Sequence, residues 1–299
     1  MPMKRMVDMQ KSRKWLWFSL FLFPVVFIFL TVVVAPFFLG IYYSFFDWDG
    51  MSLNAKIPVG FQNYVRVFSD AGFWSASSKT LLFTLIAVVL INVLGFTFAN
   101  IVTSRLRARN LARAMLFMPY LIGGLILGYI WKFIFEDGFV ALGKATGLTS
   151  VFFDWVNSPQ MALYALIIVA AWQMAGYIMI IYITGLQSIP DEFIEAASVD
   201  GATGWQTMFK IKVPLLMPSF TVCLFMTLAN CFKMYDINLS LTKGGPANAS
   251  ELVAMNIYNE IFSKSNFGYG QAKAILFFFV IAIVTMVQVY ITKKREVTL

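Results

Sequence analysis

Several residue types on which soluble enzymes depend are missing or scarce in this 299-residue chain. There is no histidine, which removes imidazole catalysis, histidine-ligated zinc and most proton relays. The two cysteines, Cys223 and Cys231, form neither a four-thiolate metal site nor a CxxC redox motif. Only 13% of the residues are charged, against about 25% in a soluble domain. We therefore expect no metal, no bound cofactor and no catalytic residue.

Apolar residues, by contrast, make up 60% of the chain and aromatic residues 17%. Too little polar surface remains to cover a soluble core of this size, so the apolar excess must face lipid. The net charge of +8 is not gathered on an exposed domain with stacking aromatics, so we expect no nucleic-acid partner. The composition indicates an integral protein of the lipid bilayer.

Six uncharged windows interrupt the sequence, and each has at least about the 17 to 25 residues that a spanning helix needs. Prolines inside them are tolerated because neighbouring helices in lipid satisfy the freed carbonyls. The first window is too long and unbroken for a cleaved secretory signal. The sequence thus predicts an all-α membrane protein with six transmembrane helices. The windows are Trp15 to Phe46, Thr80 to Ser104, Ala114 to Trp131, Trp155 to Pro190, Val213 to Phe232 and Ala274 to Thr292.

Lysine and arginine are unevenly distributed between the two sides of these spans. One side carries fourteen of the 23, among them Arg105, Arg107 and the basic residues of both termini. The positive-inside rule therefore places both termini in the cytoplasm. We divide the chain into a cytoplasmic tail (1–14), a transmembrane domain (15–292) and a second cytoplasmic tail (293–299).

The inner loop between the fourth and fifth windows has helical start and stop signals of its own. Ser188 and Pro190 precede acidic residues, a pattern that predicts a helix start with Ser188 as its cap. Gly201 is suited to end this helix in a left-handed conformation. Thr203 and Gln206 then form a capping-box pattern for a second short helix. The loop 188–213 is predicted to be a helical hairpin on the cytoplasmic surface.

This hairpin carries Glu195, Ala196 and Ala197, then Gly201, and it resembles the EAA motif of ABC importer permeases. The spacing to Ile211 and Pro214 also matches, although Val213 replaces the usual leucine. Other shared runs point to the sugar-type, maltose F-type branch, whose compact oligosaccharide and glycerol-phosphate members lack the large insertion after the first span. These runs are Phe61-Gln62-Asn63-Tyr64, Trp172 with Gly176, Gly185 to Pro190, Asp200-Gly201-Ala202 and Leu241 to Pro246.

The resemblance implies a type I ABC importer permease fold and a definite set of partners. These are a second permease of the maltose G type, two ATPase subunits or a dimeric ATPase that bind ATP and magnesium, and an extracellular or periplasmic solute-binding protein. It also implies a multi-pass protein of a bacterial or archaeal plasma (inner) membrane. The coupling residues would be Glu195, Ala196, Ala197, Asp200 and Gly201, which transmit ATPase closure to the spans.

Two polar and aromatic stripes within the spans are candidates for the substrate path. Sugars stack on rings and exchange hydrogen bonds with amides and hydroxyls, which these stripes supply. Interhelical packing is the competing interpretation, since Gly, Thr and Asn also serve as close contacts. If the path is correct, bulk at Gly176 should block passage and bulk at Ile178 should be tolerated. The candidates are Trp172, Gln173, Gly176, Tyr177, Thr227, Asn230, Cys231 and Met234.

Other function classes fit less well. An intramembrane hydrolase needs a nucleophile with a base, but the six windows contain no Asp, Glu or Lys. A secondary carrier would show inverted repeats and buried coupling residues. A peptide or amino-acid importer permease is the nearest alternative, and the T-x-GGP run (242–246) and the aromatic fourth span disfavour it. Lys233 and Asp236 near the end of the fifth span are either a relay or residues that reach the membrane surface. Gly124 and Gly128 form a small-xxx-small packing contact.

The topology makes the first testable prediction. A reporter fused after Leu299 should be cytoplasmic, whereas a cysteine placed at Ala247 should react with an impermeant thiol reagent from outside, because positive loops are retained inside. Reporter activity and labelling of intact cells measure the two sides. An inverted result at both positions would overturn the orientation.

Overall fold

A computed structural model describes residues 2–51, 56–104 and 108–296, so that Arg105, Arg107 and Leu299 lie outside the described residues. The regular secondary structure of the described residues is helical apart from a two-residue antiparallel ladder, β1 (Phe46–Asp47) with β2 (Ile57–Pro58). The helices are α1 (Pro2–Phe29), α2 (Ala35–Tyr43), α3 (Gln62–Phe68), α4 (Ala71–Thr103), α5 (Arg109–Leu121), α6 (Gly124–Phe133), α7 (Phe139–Thr146), α8 (Ala162–Gln187), α9 (Asp191–Val199), α10 (Gly204–Thr207), α11 (Val213–Leu215), α12 (Met217–Phe232), α13 (Val253–Tyr258) and α14 (Phe267–Lys293).

Short π-helical segments join several of these helices. They are Leu30–Val34, Ile134–Gly138, Met208–Lys212, Asn238–Thr242 and Asn259–Ser263. Four continuous helical stretches are long and apolar enough to cross a membrane, and two bent pairs bring the number to six if each pair is one span. The continuous stretches are Trp17–Tyr43, Ala71–Thr103, Ala162–Gln187 and Phe267–Lys293.

The third predicted span is not one straight helix. It breaks between α5 and α6 at Ile122 and Gly123, where the axis turns by 97°. Pro119 lies in the last turn of α5 and removes a backbone donor, and adjacent glycines follow, which is a usual cause of a kink. The side-chain amide of Gln173 donates to the Ile122 carbonyl at 2.9 Å. A neighbouring span thus satisfies a backbone group at the break.

The fifth predicted span is also preceded by a bend. The segment Gly204–Leu215 meets α12 at 69°, at Leu216 between Pro214 and Pro218. Neither bend could be predicted from the length of an uncharged window, because that length gives the number of residues and not the direction of the helix axis.

One compact unit comprises Met1–Val67 and Glu260–Ile275. Its first helix begins at Pro2, so the helix has no break at the predicted boundary between residues 14 and 15. The end of α2 is fixed by the F-Q-N-Y run: the Asn63 amide donates to the carbonyls of Ser44 (2.8 Å) and Phe46 (3.0 Å). The hydroxyls of Tyr64 and Ser44 share a hydrogen bond of 2.7 Å. This run therefore closes the first span where it turns into the ladder.

The same unit contains a buried ion pair that the sequence analysis missed. Lys273 and Glu260 are 1% and 2% exposed, and Lys273 Nζ lies 2.8 Å from Glu260 Oε2. Asn266 donates to the other carboxylate oxygen at 2.8 Å, and Lys264 lies 3.1 Å from Oε2. The spacing of these residues in the sequence does not indicate an ion pair, because the turn between the π-helical segment Asn259–Ser263 and α14 brings them together.

The second unit comprises Phe68–Asn259 and Leu276–Leu299, and its core lies between α4, α8 and α12. Gly95 of α4 packs directly on Ile178 of α8. Gly128 of α6 packs against Ser240, and Gly124 against Asp236, which confirms the predicted small-residue contact within this chain. Gly143 lies inside α7 against the Phe152 carbonyl.

The T-x-GGP run is held by a buried polar network in this unit. The Asn238 amide donates to the Thr242 hydroxyl (3.0 Å) and to the Ser250 carbonyl (2.8 Å). The Ser250 hydroxyl donates to the Gly245 carbonyl (2.7 Å), and its oxygen lies 2.8 Å from the Thr242 hydroxyl. Because these buried polar groups bond to one another, the network holds the loop after the fifth span in one defined conformation.

The buried ion pair generates a stability prediction. We expect Glu260→Gln to lower the free energy of unfolding at pH 7 by about 3–5 kcal/mol, because the Lys273 ammonium stays buried without its carboxylate. Glu136→Gln, in the half-buried Lys132 pair at 3.6 Å, should cost at most about 1 kcal/mol. The measurement is denaturant unfolding of the purified protein in detergent micelles.

The pH dependence of that difference follows from the pKa of Glu260. Burial raises this pKa, but hydrogen bonds from Lys273, Asn266 and Lys264 outweigh burial and hold it below its ordinary value. A carboxyl with a lowered folded-state pKa stabilises above its unfolded pKa and loses that stabilisation as pH falls through the folded one. The gap between wild type and Glu260→Gln should therefore be constant near neutrality and narrow in acid. Equal losses for the two glutamine variants at pH 7 would contradict the role of the pair.

Candidate functional site: the helical hairpin and a polar cavity

The hairpin that follows α8 begins with α9, whose first turn carries Asp191 and Glu192. Pro190 occupies the cap position in an extended conformation (φ −59°, ψ 136°). The predicted capping role of Ser188 is wrong: its backbone is still helical, and its hydroxyl donates back to the Gly185 carbonyl at 2.7 Å. Ser188 therefore ends α8, and the acidic residues alone favour the start of α9.

The turn between the two hairpin helices depends on Gly201. Its φ is +71°, and the Ala202 amide donates to the Ala197 carbonyl (2.9 Å) while the Gly201 amide donates to Ser198 (3.2 Å). This is the Schellman arrangement, in which a left-handed residue closes the helix. A Cβ at Gly201 would meet nothing within 4 Å, so the glycine is required by its backbone conformation and not by crowding.

The second hairpin helix confirms the predicted capping box. The backbone N–H of Gln206 donates to the Thr203 hydroxyl at 3.3 Å, and the backbone N–H of Thr203 donates to the side-chain oxygen Oε1 of Gln206 at 2.7 Å. Beyond the cap, the rings of Trp205 and Phe209 stack in parallel with centroids 5.4 Å apart. The second hairpin helix is thus fixed at its start by the capping box and carries a stacked aromatic pair.

Most side chains of the hairpin are exposed and are not covered by the rest of the described chain. Glu195, Ala196 and Asp200 are exposed, whereas Ala197 is 5% exposed and faces inward. Val199 and Trp205 are 87% and 75% exposed. Large apolar side chains displayed together on a polar loop are characteristic of a protein interface.

A cavity of about 350 Å³ lies between α5, α6, α8 and the end of α12, next to the break in the third span. The break itself contributes Tyr120 and Gly124 to its wall. The Tyr120 ring stacks on Tyr177 at 4.5 Å, and the Tyr177 hydroxyl contacts Met226 Sδ at 3.4 Å. The lining residues are Tyr120, Gly124, Gln173, Met174, Asn230, Lys233, Met234, Tyr235, Asp236 and Ile237.

The cavity wall combines neutral amide side chains with one basic and one acidic side chain. Gln173 and Asn230 donate to the carbonyls of Ile122 (2.9 Å) and Met226 (2.9 Å). Lys233 and Asp236, discussed above as a relay or as surface-reaching residues, both border the cavity. Together with two tyrosine hydroxyls, this wall suits a polar, hydroxyl-rich ligand rather than an ion alone.

Of the eight predicted path residues, Gln173, Asn230 and Met234 line the cavity, and Tyr177 supports it through Tyr120. Trp172 is 43% exposed with its ring edge-on to Trp131 at 5.4 Å. Tyr120, Met174, Lys233, Tyr235, Asp236 and Ile237 line the cavity but were not predicted to do so. The usable signal was the Pro119 and Gly123-Gly124 pattern, which marks the broken helix.

Three predicted path residues lie away from the cavity and pack against neighbouring segments. Gly176 lies against the backbone of Leu116, whose carbonyl oxygen a Cβ would overlap. Thr227 and Cys231 are 0% exposed within the core. Ile178, where added bulk was expected to be tolerated, is also 0% exposed and packs on Gly95. Helical spacing places residues on a common face but does not tell which neighbour that face meets.

The sequence was next compared with known proteins. Residues 91–297 match the family described as binding-protein-dependent transport system inner membrane component. The chain belongs to this family. AmyD, a permease of a starch degradation products transport system from Thermoanaerobacterium thermosulfurigenes, is 44% identical over 94% of this chain and 96% of its own. MsmF, a permease of a multiple sugar-binding transport system from Streptococcus mutans, is 34% identical over 88% of this chain and 90% of its own.

Solved structures agree on the fold. A chain of a bacterial ABC transporter that imports the acidic polysaccharide alginate superposes with a TM-score of 0.81 at 19% identity, covering 95% of this chain and 96% of that one. A second structure of the alginate transporter contains a periplasmic protein with a bound alginate pentasaccharide, and its match has a TM-score of 0.75. The permease family, the type I importer fold and the assignment to membrane transport rather than catalysis are thereby confirmed.

The position of Gly176 replaces the earlier expectation of a blocked path by a prediction about stability. Gly176→Ala should lower the free energy of unfolding by about 1–3 kcal/mol, because even one methyl group overlaps the Leu116 backbone. Gly138→Ala is the control, since its Cβ would find its nearest neighbour at 3.9 Å. Thermal unfolding in detergent compares the two, and equal midpoints would show that α5 does not pack on Gly176.

Proposed function

We propose that this chain is one of two permease subunits of an ATP-driven importer for an oligosaccharide or related sugar. The observation that carries the proposal is the combination, in one chain, of a glycine-turned cytoplasmic hairpin and a polar cavity beside a broken span. The hairpin would receive the movement of an ATPase, and the cavity would receive the solute.

A sugar is the solute class that the cavity favours. Its wall offers tyrosine rings for C–H faces and amide and hydroxyl groups for sugar hydroxyls. The presence of both Lys233 and Asp236 gives the wall no net preference for an anion or a cation. The names of the relatives AmyD and MsmF, which refer to starch degradation products and to multiple sugars, support the same class.

Energy would come from partner subunits through the hairpin. Its exposed Val199, Trp205 and Phe209 provide an apolar surface that a groove in a cytoplasmic ATPase would bury. Glu195, Ala196, Ala197, Asp200 and Gly201 form the part that resembles the EAA motif, and we assign coupling to them. ATP and magnesium would be bound by that ATPase, present as two copies.

The remaining assembly follows from the same proposal. A second permease of the maltose G type would complete the translocation path, and a periplasmic or extracellular binding protein would deliver the sugar. The chain would lie in a bacterial or archaeal plasma membrane with both termini in the cytoplasm, as its lysine and arginine distribution predicts.

The test uses the assembled importer, with both permeases, the ATPase and the binding protein, in lipid vesicles. The wild type should accumulate radiolabelled maltotriose when ATP is present on the ATPase side. Gly201→Val should insert and assemble but lower the maltotriose imported per ATP at least tenfold, because valine is strained at φ +71°.

Gly147→Val is the matched control, since Gly147 has φ +74° and equally open surroundings at the end of α7. It should suffer the same local strain and keep the wild-type ratio of sugar to ATP. If both variants lose transport equally, the hairpin has no special role. If the wild type imports no sugar with any sugar-binding protein, the proposed substrate class is wrong.

A further inference from the structure

A single buried amide connects three spans in the core of the second unit. Asn92 of α4 accepts a hydrogen bond from the Tyr182 hydroxyl of α8 at 2.8 Å. Its amide donates to the Thr227 hydroxyl of α12 at 3.1 Å and to the Val88 carbonyl of its own helix at 2.8 Å. Asn92 is 8% exposed, and Tyr182 and Thr227 are 0% exposed. Both amide hydrogens are used, and the amide oxygen has a partner.

Three aromatic rings join the same three helices a turn away. Phe96 of α4 meets Tyr182 edge-on at 5.5 Å, and Tyr182 meets Phe220 of α12 edge-on at 4.9 Å. Phe96 and Phe220 complete the triangle at 5.5 Å. We call Asn92, Phe96, Tyr182, Phe220 and Thr227 the three-span node.

The node lies close to the hairpin along both helices that flank it. Tyr182 is in the last turns of α8, which ends at Gln187 just before α9, and Phe220 is in the first turn of α12. A displacement of the hairpin therefore reaches the node through about one or two helical turns on either side. α4 is distant in sequence from the hairpin, and the node contributes hydrogen bonds that join α4 to α8 and α12, the two helices that flank the hairpin.

In its N-terminal half, α4 is attached to the loop that carries the T-x-GGP run. The Val253 amide donates to the Thr80 hydroxyl at 2.9 Å, and Lys79 Nζ donates to the Asn248 carbonyl at 2.7 Å. From Thr80 to Asn92 an uninterrupted helix rises by about 18 Å. An unbroken length of α4, which runs from Ala71 to Thr103, thus connects the node to the T-x-GGP loop.

From this arrangement we propose that Asn92 is a positioning residue for transport, which makes α4 move with α8 and α12 and so carries hairpin displacement to the outer T-x-GGP loop. The inference rests on the proposed coupling role of the hairpin. Asn92 touches neither the cavity nor the hairpin surface. Hydrogen bonds that are completed between helices form a buried network that holds these helices in one arrangement.

The experiment measures how strongly maltotriose-loaded binding protein stimulates ATP hydrolysis by the complete importer in vesicles. Asn92→Leu removes all three hydrogen bonds at similar volume. The control is Asn100→Leu on the same helix, because the Asn100 amide donates only to the Phe96 carbonyl of α4 itself. We expect Asn92→Leu to lower the stimulation about fivefold or more, with basal hydrolysis retained, and Asn100→Leu to stay within about twofold of wild type.

Tyr182→Phe removes one hydroxyl and keeps the aromatic triangle, so it tests the proposal even if Asn92→Leu does not assemble. It should lower stimulation in the same direction, and adding it to Asn92→Leu should cause no further loss, because both remove the same hydrogen bond. Unchanged stimulation in Tyr182→Phe, or equal stimulation in Asn92→Leu and Asn100→Leu at equal assembled amounts, would overturn the proposal. Failure of the wild type to import maltotriose would instead overturn the proposed substrate class.

Discussion

The structure depends on one constraint: inside a bilayer, polar groups must find their hydrogen-bond partners within the protein, because water is absent. The break in the third span illustrates it. A carbonyl at Ile122 could not remain exposed in hydrocarbon, and the Gln173 amide from the neighbouring span binds it. The break is therefore stable, and the Tyr120 and Gly124 positions at the break are available to shape a cavity. The polar cavity therefore lies where a side chain of one span forms a hydrogen bond to the broken backbone of another.

The hairpin shows how the chain behaves where the constraint is absent. On the aqueous side, short helices of nine and four residues are stabilised by local devices: acidic residues in the first turn, a Schellman turn at Gly201 and a capping box at Thr203. Helices of this length are marginal in isolation. Local caps thus allow a small rigid element to display apolar side chains outward, which a membrane-facing helix of the same size would hide in lipid.

Much of this architecture could be predicted from the sequence, because the strongest signals are one-dimensional. Charge-free length identified the four continuous spanning stretches and the regions of the two bent pairs, and cap and glycine spacing identified the hairpin. The capping box and left-handed Gly201 depend only on residues within a few positions of each other. The F-Q-N-Y and T-x-GGP runs were noticed as resemblances, and their physical roles became clear only from the partners of Asn63 and Thr242.

What could not be predicted is which helix faces which. Gly176 was assigned to the path from its place on an aromatic stripe, but the stripe meets α5 closely enough that only glycine fits against Leu116. Lys273 and Glu260 attracted no attention in the sequence and form a buried pair. Such contacts join residues far apart in the chain or on turns of unpredictable direction, and the helical period contains no information about them.

Thr227 and Asn230 show how the roles of polar residues can be separated once the contacts are known. The two lie three residues apart on α12 and look equivalent in sequence. The Thr227 hydroxyl is 0% exposed and is engaged with its own helix and with Asn92. Asn230 borders the cavity, and its amide donates to the Met226 carbonyl of its own helix. A polar group that joins two helices fixes the scaffold, whereas one bonded only within its helix and facing a cavity is free to exchange partners with a passing solute.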